Sequence, residues 1–280
     1  MQGSCLCGAV RWRAEGPFEL MSHCHCSRCR KVHGTAYGTY VEAPAAGFAF
    51  EGGEAAIVRF ASSPGFARPF CGRCGSVVPD GVATKGRVPL PAGGFDGDPG
   101  TRPLAHIFVA SRAPWFEIHD ALPRFDAYPE GFGAPTVADR APTDPPGATR
   151  GSCLCNGVGF VLEGKPRLAR FCHCSRCRKA RSAAFASNLL LGDDGLRFTR
   201  GSELLVSYKI PEALRFTQCF CLRCGGKLPR VDPERKLAVV PLGALDDDPG
   251  IRPSGHIFVA AKAAWDEIHD ALPQYAEYES

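Results

Sequence analysis

The sequence contains no long apolar run and no strong excess of charge of one sign. No stretch approaches the roughly 18 consecutive apolar residues of a membrane-spanning helix, and residues 1–5 lack the basic and apolar segments that open a secretion signal. We therefore expect a cytoplasmic location and no membrane partner. The 33 basic and 29 acidic residues leave a formal net charge of +4, which is too small to indicate a nucleic-acid partner by itself.

The sequence lacks features that two classes of cysteine-containing enzyme require. No histidine is followed two positions later by the glutamate that a zinc-dependent base deaminase needs as its acid-base group. Cys71 and Cys74 have the spacing of a redox motif, but they are not set in the βαβ pattern in which thioredoxin-like proteins carry it.

What is abundant is cysteine, with 15 residues in a chain of 280, and most of them belong to a tandem repeat. The segment 3–7, Gly-Ser-Cys-Leu-Cys, recurs at 151–155. The eight residues 24–31 recur letter for letter at 172–179. The offset is 148 at both places and becomes 150 at the last cysteine pair, because two residues are inserted in the second copy. In a chain without a secretion signal, such spacing favours metal ligation over disulfides.

Two cysteine pairs in each copy have the spacing of structural zinc ligands. The members of a Cys-x-Cys pair point to the same side of an extended strand. The later Cys-x-x-Cys pair is followed by a glycine, which can adopt the positive φ of a knuckle turn. Four thiolates close a tetrahedral site, so we predict a zinc that serves folding only. The ligands would be Cys5, Cys7, Cys71 and Cys74, and in the second copy Cys153, Cys155, Cys221 and Cys224.

The middle cluster of each copy has only three cysteines. A zinc with three protein ligands keeps one position for water, an external thiol or an oxygen ligand, and can act there as a Lewis acid or carry a thiolate. We therefore predict an open, catalytic zinc in each copy, up to two zincs per domain and four per chain. Its ligands would be Cys24, Cys26 and Cys29, and in the second copy Cys172, Cys174 and Cys177.

The alternative for the middle cluster is a structural zinc that a fourth protein ligand closes. The candidates are His23, His25, His106 and Cys219, the odd cysteine that has no counterpart in the first copy. Cys219 is equally well explained as a buried bystander.

Basic residues and histidines accompany the clusters. The basic residues would stabilise the assembled thiolates or bind a carboxylate of an anionic thiol substrate; they are Arg28, Arg30, Lys31, Arg176, Arg178 and Lys179. Four histidines are candidate acid-base groups, with local hydrogen bonding as the alternative role: His106, His119, His256 and His269.

Short apolar runs interrupted by Gly and Pro predict a mainly β fold with few short helices. The clearest runs of the first copy are residues 10–12, 37–41, 56–60 and 106–110. The i, i+3, i+7 spacing of Trp115, Ile118 and Leu122, repeated at 265–272, predicts one helical face per copy, with the tryptophan in the core.

The Pro- and Gly-rich segment 131–150 predicts a linker. It separates a first zinc-binding domain, residues 1–130, from a second one, residues 151–280.

Four motifs recur in the same order in both copies: Gly-Ser-Cys-x-Cys, Cys-His-Cys-Ser-x-Cys-Arg-Lys, Phe-Cys-x-x-Cys-Gly and His-Ile-Phe-Val. Together they resemble the glutathione-dependent formaldehyde-activating enzyme (GFA) family, which includes centromere protein V. The resemblance covers nearly all of both copies. It implies a β-rich, Mss4-like fold, with a structural zinc on the two cysteine pairs and a second zinc on the three middle cysteines.

The resemblance also implies an activity. Glutathione's thiol would add to formaldehyde and give S-hydroxymethylglutathione, a carbon-sulfur lyase reaction in reverse, so the expected partners are a glutathione-like thiol and an aldehyde. The first copy follows the family pattern more closely, with Ser76 and Pro114 where the second has Gly226 and Ala264. The alternative function is a non-catalytic tandem zinc module, for scaffolding or for nucleic-acid or protein interaction, in which all zincs are structural.

Overall fold

The computed structural model describes residues 1–131, 138 and 147–279. Over these residues the chain is mainly β, which confirms the predicted fold class, and it contains two short α-helices. Most of the predicted linker lies outside the described residues. None of the described helices is long and apolar enough to cross a membrane.

A five-stranded mixed sheet carries the middle cysteines of the first copy. Its order is β10-β9-β3-β4-β8, and β3 pairs antiparallel with β4 and parallel with β9. A three-stranded sheet, β1-β2-β5, and the hairpin β6-β7 complete this copy. The strands are β1 Gln2–Ser4, β2 Arg11–Ala14, β3 Glu19–Cys24, β4 Gly38–Pro44, β5 Phe48–Gly52, β6 Ile57–Ser63, β7 Phe66–Cys71, β8 Arg87–Pro91, β9 Ala105–Ile107 and β10 Arg124–Phe125.

The second copy repeats this plan except at the sheet edges, where β18 and β19 are added and the described residues form no strand in the place of β10. Its five-stranded sheet has the order β19-β20-β14-β13-β21, beside the three-stranded sheets β11-β12-β15 and β16-β17-β18. The strands are β11 Thr149–Ser152, β12 Gly159–Leu162, β13 Leu168–Cys172, β14 Ala186–Gly192, β15 Leu196–Arg200, β16 Leu205–Lys209, β17 Thr217–Cys221, β18 Lys227–Leu228, β19 Arg230–Asp232, β20 Leu237–Pro241 and β21 His256–Ile257.

Short 3-10 helices connect the strands of both copies. They are Ala45–Gly47, Glu54–Ala56, Ala92–Gly94, Val109–Ser111, Asp193–Gly195, Ser202–Leu204, Pro233–Arg235, Leu242–Ala244 and Val259–Ala261. The predicted strand at 106–110 is therefore only partly a strand, because a 3-10 turn begins at Val109.

The two α-helices are α1, Ser27–His33, and α2, Ser175–Arg181, and both begin directly after a cysteine of the middle cluster. The sulfur of Cys26 accepts a hydrogen bond from the Cys29 backbone, so it takes the N-cap role that a Ser or Asp oxygen usually fills. Gly34 ends α1 with a left-handed conformation, φ 66°. Sequence periodicity missed these helices because their start depends on a cysteine sulfur.

The predicted helical face of Trp115, Ile118 and Leu122 is wrong. This segment forms irregular turns, in which the carboxylate of Asp120 accepts from the Leu122 backbone N–H. Such a local side-chain acceptor competes with helical hydrogen bonding. Trp115 is buried in the core, as predicted, whereas Ile118 and Leu122 are only half-buried.

The two copies dock on each other through reciprocal contacts of their helices. Lys31 Nζ donates to Ser152 and to Asp246 of the second copy, and Lys179 Nζ donates to Ser4 and to Asp96 of the first. A contact that each half makes with the corresponding surface of the other is the arrangement of a two-fold symmetric dimer. The tandem repeat is therefore packed as an internal pseudo-dimer, and one apolar core extends through both copies.

The cysteine knuckles lie in this same interface. Gly75 has φ 74° and Gly225 has φ 68°, the left-handed conformation that the sequence predicted for the residue after each Cys-x-x-Cys pair. A Cβ atom on Gly75 would stand 2.5 Å from the Phe220 ring, and one on Gly225 would stand 2.5 Å from the Phe70 ring. Glycine is required at both positions by backbone conformation and by the approach of the other copy.

Loss of the Lys31 ammonium should destabilise the chain more than loss of its counterpart Lys179. The Asp246 side chain is 9% exposed and also accepts from the Ser152 hydroxyl, so Lys31→Met leaves a largely buried carboxylate without a counter-charge and should lower the unfolding free energy by about 3 kcal/mol. Asp96 is 48% exposed, so Lys179→Met should cost about 1 kcal/mol. Urea unfolding of zinc-replete protein measures both values, and equal losses would contradict the prediction.

Candidate metal centres

Four cysteines from distant parts of each copy come together in one sulfur cluster. In the first copy, Cys5 and Cys7 follow β1, while Cys71 ends β7 and Cys74 closes the knuckle turn. Each group's sulfur atoms lie within 4.8 Å of one another; the groups are Cys5, Cys7, Cys71 and Cys74, and Cys153, Cys155, Cys221 and Cys224. The structure thus brings together the sets that the sequence predicted as structural ligands.

The sulfur spacing fits zinc. Tetrahedral zinc with sulfur ligands at about 2.3 Å places two sulfurs about 3.8 Å apart. The Cys7–Cys71 and Cys155–Cys221 distances are both 3.8 Å, and the Cys5–Cys7 distance is 3.5 Å. Four thiol groups with this spacing are the donor set of a closed structural zinc site.

The middle cysteines form two further groups, each where a strand of the five-stranded sheet is followed by an α-helix. Cys24 ends β3, Cys26 caps α1 and Cys29 lies in its first turn, and α2 repeats this arrangement. The sulfur atoms of each group again lie within 4.8 Å of one another: Cys24, Cys26 and Cys29, and Cys172, Cys174 and Cys177. Among residues 1–131, 138 and 147–279, no fourth histidine, cysteine or carboxylate donor joins either group.

The proposed fourth ligands have other partners. His23 Nδ1 lies 2.9 Å from Thr39 Oγ1, and His25 Nε2 lies 2.8 Å from His106 Nδ1. Cys219 is buried on β17, where its sulfur lies 3.1 Å from the Ser207 hydroxyl, outside both groups. The geometry therefore favours the bystander interpretation of Cys219.

The arrangement of sulfur clusters agrees with the comparison of this chain with known proteins. The family described as "Glutathione-dependent formaldehyde-activating enzyme" matches residues 1–111 and 148–261, one match in each copy. The chain belongs to the GFA family.

Individual relatives match less than half of this chain. A Halomonas elongata protein provisionally assigned as a glutathione-dependent formaldehyde-activating enzyme is 30% identical over 126 residues, which are 42% of this chain and 80% of the relative. A solved Rhodobacter sphaeroides protein is 27% identical, and the match covers 37% of this chain and 97% of that protein, with a TM-score of 0.30.

The two GFA copies differ in how exposed their middle clusters are. Cys24, Cys26 and Cys29 are all buried, whereas Cys174 and Cys177 of the second copy are partly exposed. Arg28, next to Cys29 in the sequence, is also buried, and its side chain donates to the carbonyl oxygen of Ala138. The corresponding Arg176 is exposed.

Half-buried Arg68 distinguishes the electrostatics of the first cluster, and the sequence analysis missed it. Its guanidinium donates to the Cys29 sulfur at 3.2 Å. Nearby thiolates, with Cys29 first among them, outweigh its burial and raise the pKa of Arg68. The second copy has Gln218 at this position, and its amide donates to the Cys74 carbonyl instead. The sequence shows that Arg68 of the first copy corresponds to Gln218 of the second at an offset of 150. It does not show that Arg68 lies near Cys29, because that depends on the position of β7.

The basic residues next to the clusters have different hydrogen-bond partners. Lys31 and Lys179 turn to the other copy, where they bind Asp246 and Asp96. Arg30 donates to the His25 carbonyl and Arg178 to the Ala261 carbonyl.

The three thiols of the second cluster differ in pKa. Hydrogen bonds from Cys172 and Cys177 lower the pKa of the Cys174 thiol to about 3, whereas hydrogen bonds to Cys172 and Cys174, together with burial, raise the pKa of Cys177. Of the three sulfurs, Cys174 therefore most readily takes the thiolate form, which is the form that binds a metal ion.

The candidate acid-base histidines lie outside the cysteine clusters. His106, His119, His256 and His269 line a cleft between the copies. Burial lowers the pKa values of His106 and His256, although each lies near a carboxylate, Asp120 or Asp270.

Zinc should leave the second middle cluster faster than the first when a chelator is added. The reason is that Cys174 and Cys177 are partly exposed, while the three sulfurs of the first cluster are buried. We expect zinc-replete protein to contain four zincs per chain and to release two of them before unfolding, in two phases. Cys177→Ser should remove the faster phase and Cys29→Ser the slower one, as read from zinc release to a colorimetric indicator. Release of both zincs in a single phase would contradict the expectation.

Proposed function

We propose that this chain catalyses the addition of a glutathione-like thiol to formaldehyde at zinc ions held by its three-cysteine clusters. In the reaction a carbon-sulfur bond forms between the thiol sulfur and the carbonyl carbon, and the thiol proton is transferred to the carbonyl oxygen. The reverse reaction belongs to the carbon-sulfur lyase class. Family membership supports the general type of activity, and the two middle clusters supply a chemical basis for it.

The observation that carries the proposal is the difference between the two kinds of cluster. The Cys-x-Cys and Cys-x-x-Cys groups each gather four thiols, and the middle groups gather three among the described residues. A zinc with three protein ligands supplies Lewis acidity and a position for an external thiolate or oxygen, which a zinc with four thiolates lacks.

The surroundings of the first cluster suit a small, uncharged aldehyde. Phe108 packs against its cysteines, with Tyr40 and Tyr128 beside it. This apolar wall excludes water from one side of the sulfurs, which strengthens electrostatic interactions at the site. The Phe108–Tyr128 ring pair recurs in the second copy as Phe258 and Tyr278, with centroids 4.7 Å apart in both cases.

Arg68 is proposed to position and stabilise Cys29 in the first copy. Its hydrogen bond favours the thiolate form of Cys29, which is the form that binds metal. The second copy lacks this cation but admits solvent to its cluster. We therefore expect both clusters to act on thiol and aldehyde, the second with easier access for a bulky thiol.

Zinc-replete protein should accelerate the exchange between free formaldehyde and its glutathione adduct. Magnetisation-transfer NMR measures this exchange at equilibrium. The variant Cys29→Ser/Cys177→Ser should lose at least about tenfold of the acceleration, since each three-ligand site would lose a ligand. It should still contain two zincs per chain and keep its circular dichroism spectrum, because both four-cysteine groups stay intact.

Cys219→Ser is the matched control, because it removes a buried cysteine that belongs to neither cluster. It should retain four zincs and the full acceleration. If wild-type protein with four bound zincs leaves the exchange rate unchanged, catalysis of this reaction is excluded.

A further inference from the structure

Lys227 is a lysine buried in the interface between the two copies. It lies on β18 and is fully buried. Its Nζ donates to the carbonyl oxygen of Gly75 at 2.5 Å and to that of Gly225 at 3.0 Å. In the part of the chain that the structure describes, no carboxylate pairs with it. A buried ammonium without a carboxylate partner is costly unless other negative charge stabilises it.

The negative charge near Lys227 comes from the four-cysteine groups. Each of the two carbonyls belongs to the glycine that directly follows the last cysteine of a knuckle, Cys74 or Cys224. Burial and the Arg181 guanidinium lower the pKa of Lys227 to about 7. The thiolates of Cys74, Cys224 and Cys71 act in the opposite direction. The groups that stabilise the ammonium are therefore sulfur atoms of both copies.

Two other lysines of this interface have carboxylate partners. Lys31 pairs with Asp246, and Lys179 pairs with Asp96. Those carboxylates largely neutralise the two lysines. The charge of Lys227 has no such partner among the described residues, so it remains available to the sulfur groups.

The place of Lys227 explains how one lysine can serve both groups. Gly75 and Gly225 are equivalent residues of the two copies, so an ammonium that bonds to both carbonyls lies close to the pseudo-two-fold axis. One side chain fills that space. The first copy accordingly has buried Val77 where the second copy has Lys227.

A zinc ion bound by four thiolates carries excess negative charge. Four thiolates and one Zn²⁺ add up to a net charge of about −2. Three of the four cysteines in each group are buried, so water can screen little of that charge. An ammonium near the sulfurs lowers the cost, and by linkage the metal stabilises the ammonium as much as the ammonium stabilises the metal.

We propose that the Lys227 ammonium is the shared counter-charge of the two four-cysteine metal centres. The metal centre of the first copy thus depends on a side chain of the second copy. Replacing a residue that supports metal ligands from outside commonly lowers metal affinity by about 10- to 100-fold. This role is independent of the proposed reaction, which takes place at the three-cysteine clusters.

Lys227→Met removes the charge and keeps an unbranched side chain. In the Cys29→Ser/Cys177→Ser background the four-cysteine groups remain as the zinc sites, so competition with a chelator of known affinity reports on them. Lys227→Met should weaken zinc binding at both groups by at least about tenfold. Lys209→Met is the control, because it removes an exposed lysine from the same sheet and should leave both affinities unchanged.

Cadmium-113 NMR separates the loss of charge from a loss of packing. In the same background, cadmium-loaded protein should give one signal for each four-cysteine centre, and Cys7→Ser identifies the signal of the first copy. Lys227→Met should shift both signals. Leu228→Ala, a truncation of the buried neighbour of Lys227 on β18, leaves the ammonium in place and should leave the first-copy signal where it is.

Wild-type protein provides a measurement that needs no variant. At pH 8 the amine form of Lys227 would dominate if its pKa stayed near 7. In metal-loaded protein the nitrogen-15 chemical shift of Nζ should instead be that of an ammonium. The proposal is overturned by an amine shift, by unchanged zinc affinity in Lys227→Met, by a change confined to the second-copy cadmium signal, or by an equal change of the first-copy signal in Leu228→Ala.

Discussion

The structure depends on the gathering of four sulfurs from segments that are far apart in the chain. Cys5 and Cys7 lie at the start of the first copy, and Cys71 and Cys74 lie in a hairpin more than sixty residues later. Four thiol groups at such short distances repel one another once they ionise, and a bound cation would offset that repulsion. A zinc bound there would join the β1-β2-β5 sheet to the β6-β7 hairpin and contribute directly to folding.

The docking of the two copies is built on these same knuckles. Gly75, next to Cys74, lies under Phe220, and the reciprocal contact joins Gly225 and Phe70. Buried Lys227 then donates to the carbonyl oxygens of both glycines. The Gly75 carbonyl oxygen and the side of Gly75 that lacks a Cβ atom can contact the other copy only when the knuckle turn has formed. A metal ion bound at the knuckle would therefore also favour the packing between the copies.

The two copies contact each other in a pseudo-symmetric way, but the side chains around their functional groups differ. The reciprocal lysines of α1 and α2 keep the pseudo-two-fold contact. Side chains around the functional groups have diverged, so that Arg68 corresponds to Gln218 and Phe116 to Asp266. The first copy thereby has a buried cluster with a guanidinium donor, and the second has an accessible cluster and a buried carboxylate in the shared cleft. The two copies thus present different binding environments because their side chains differ around a similar arrangement of strands.

The sequence by itself determined the repeat, the mainly β class and the grouping of the cysteines, because these follow from local spacing and residue type. It also anticipated the positive φ of Gly75, which a knuckle turn requires. It could not determine the helix that Cys26 caps, the turn of Lys31 to the other copy, or the position of Arg68 beside Cys29. Those depend on which distant segments meet, and that is decided by the joint burial of apolar surface and by the pairing of buried charges across the two copies.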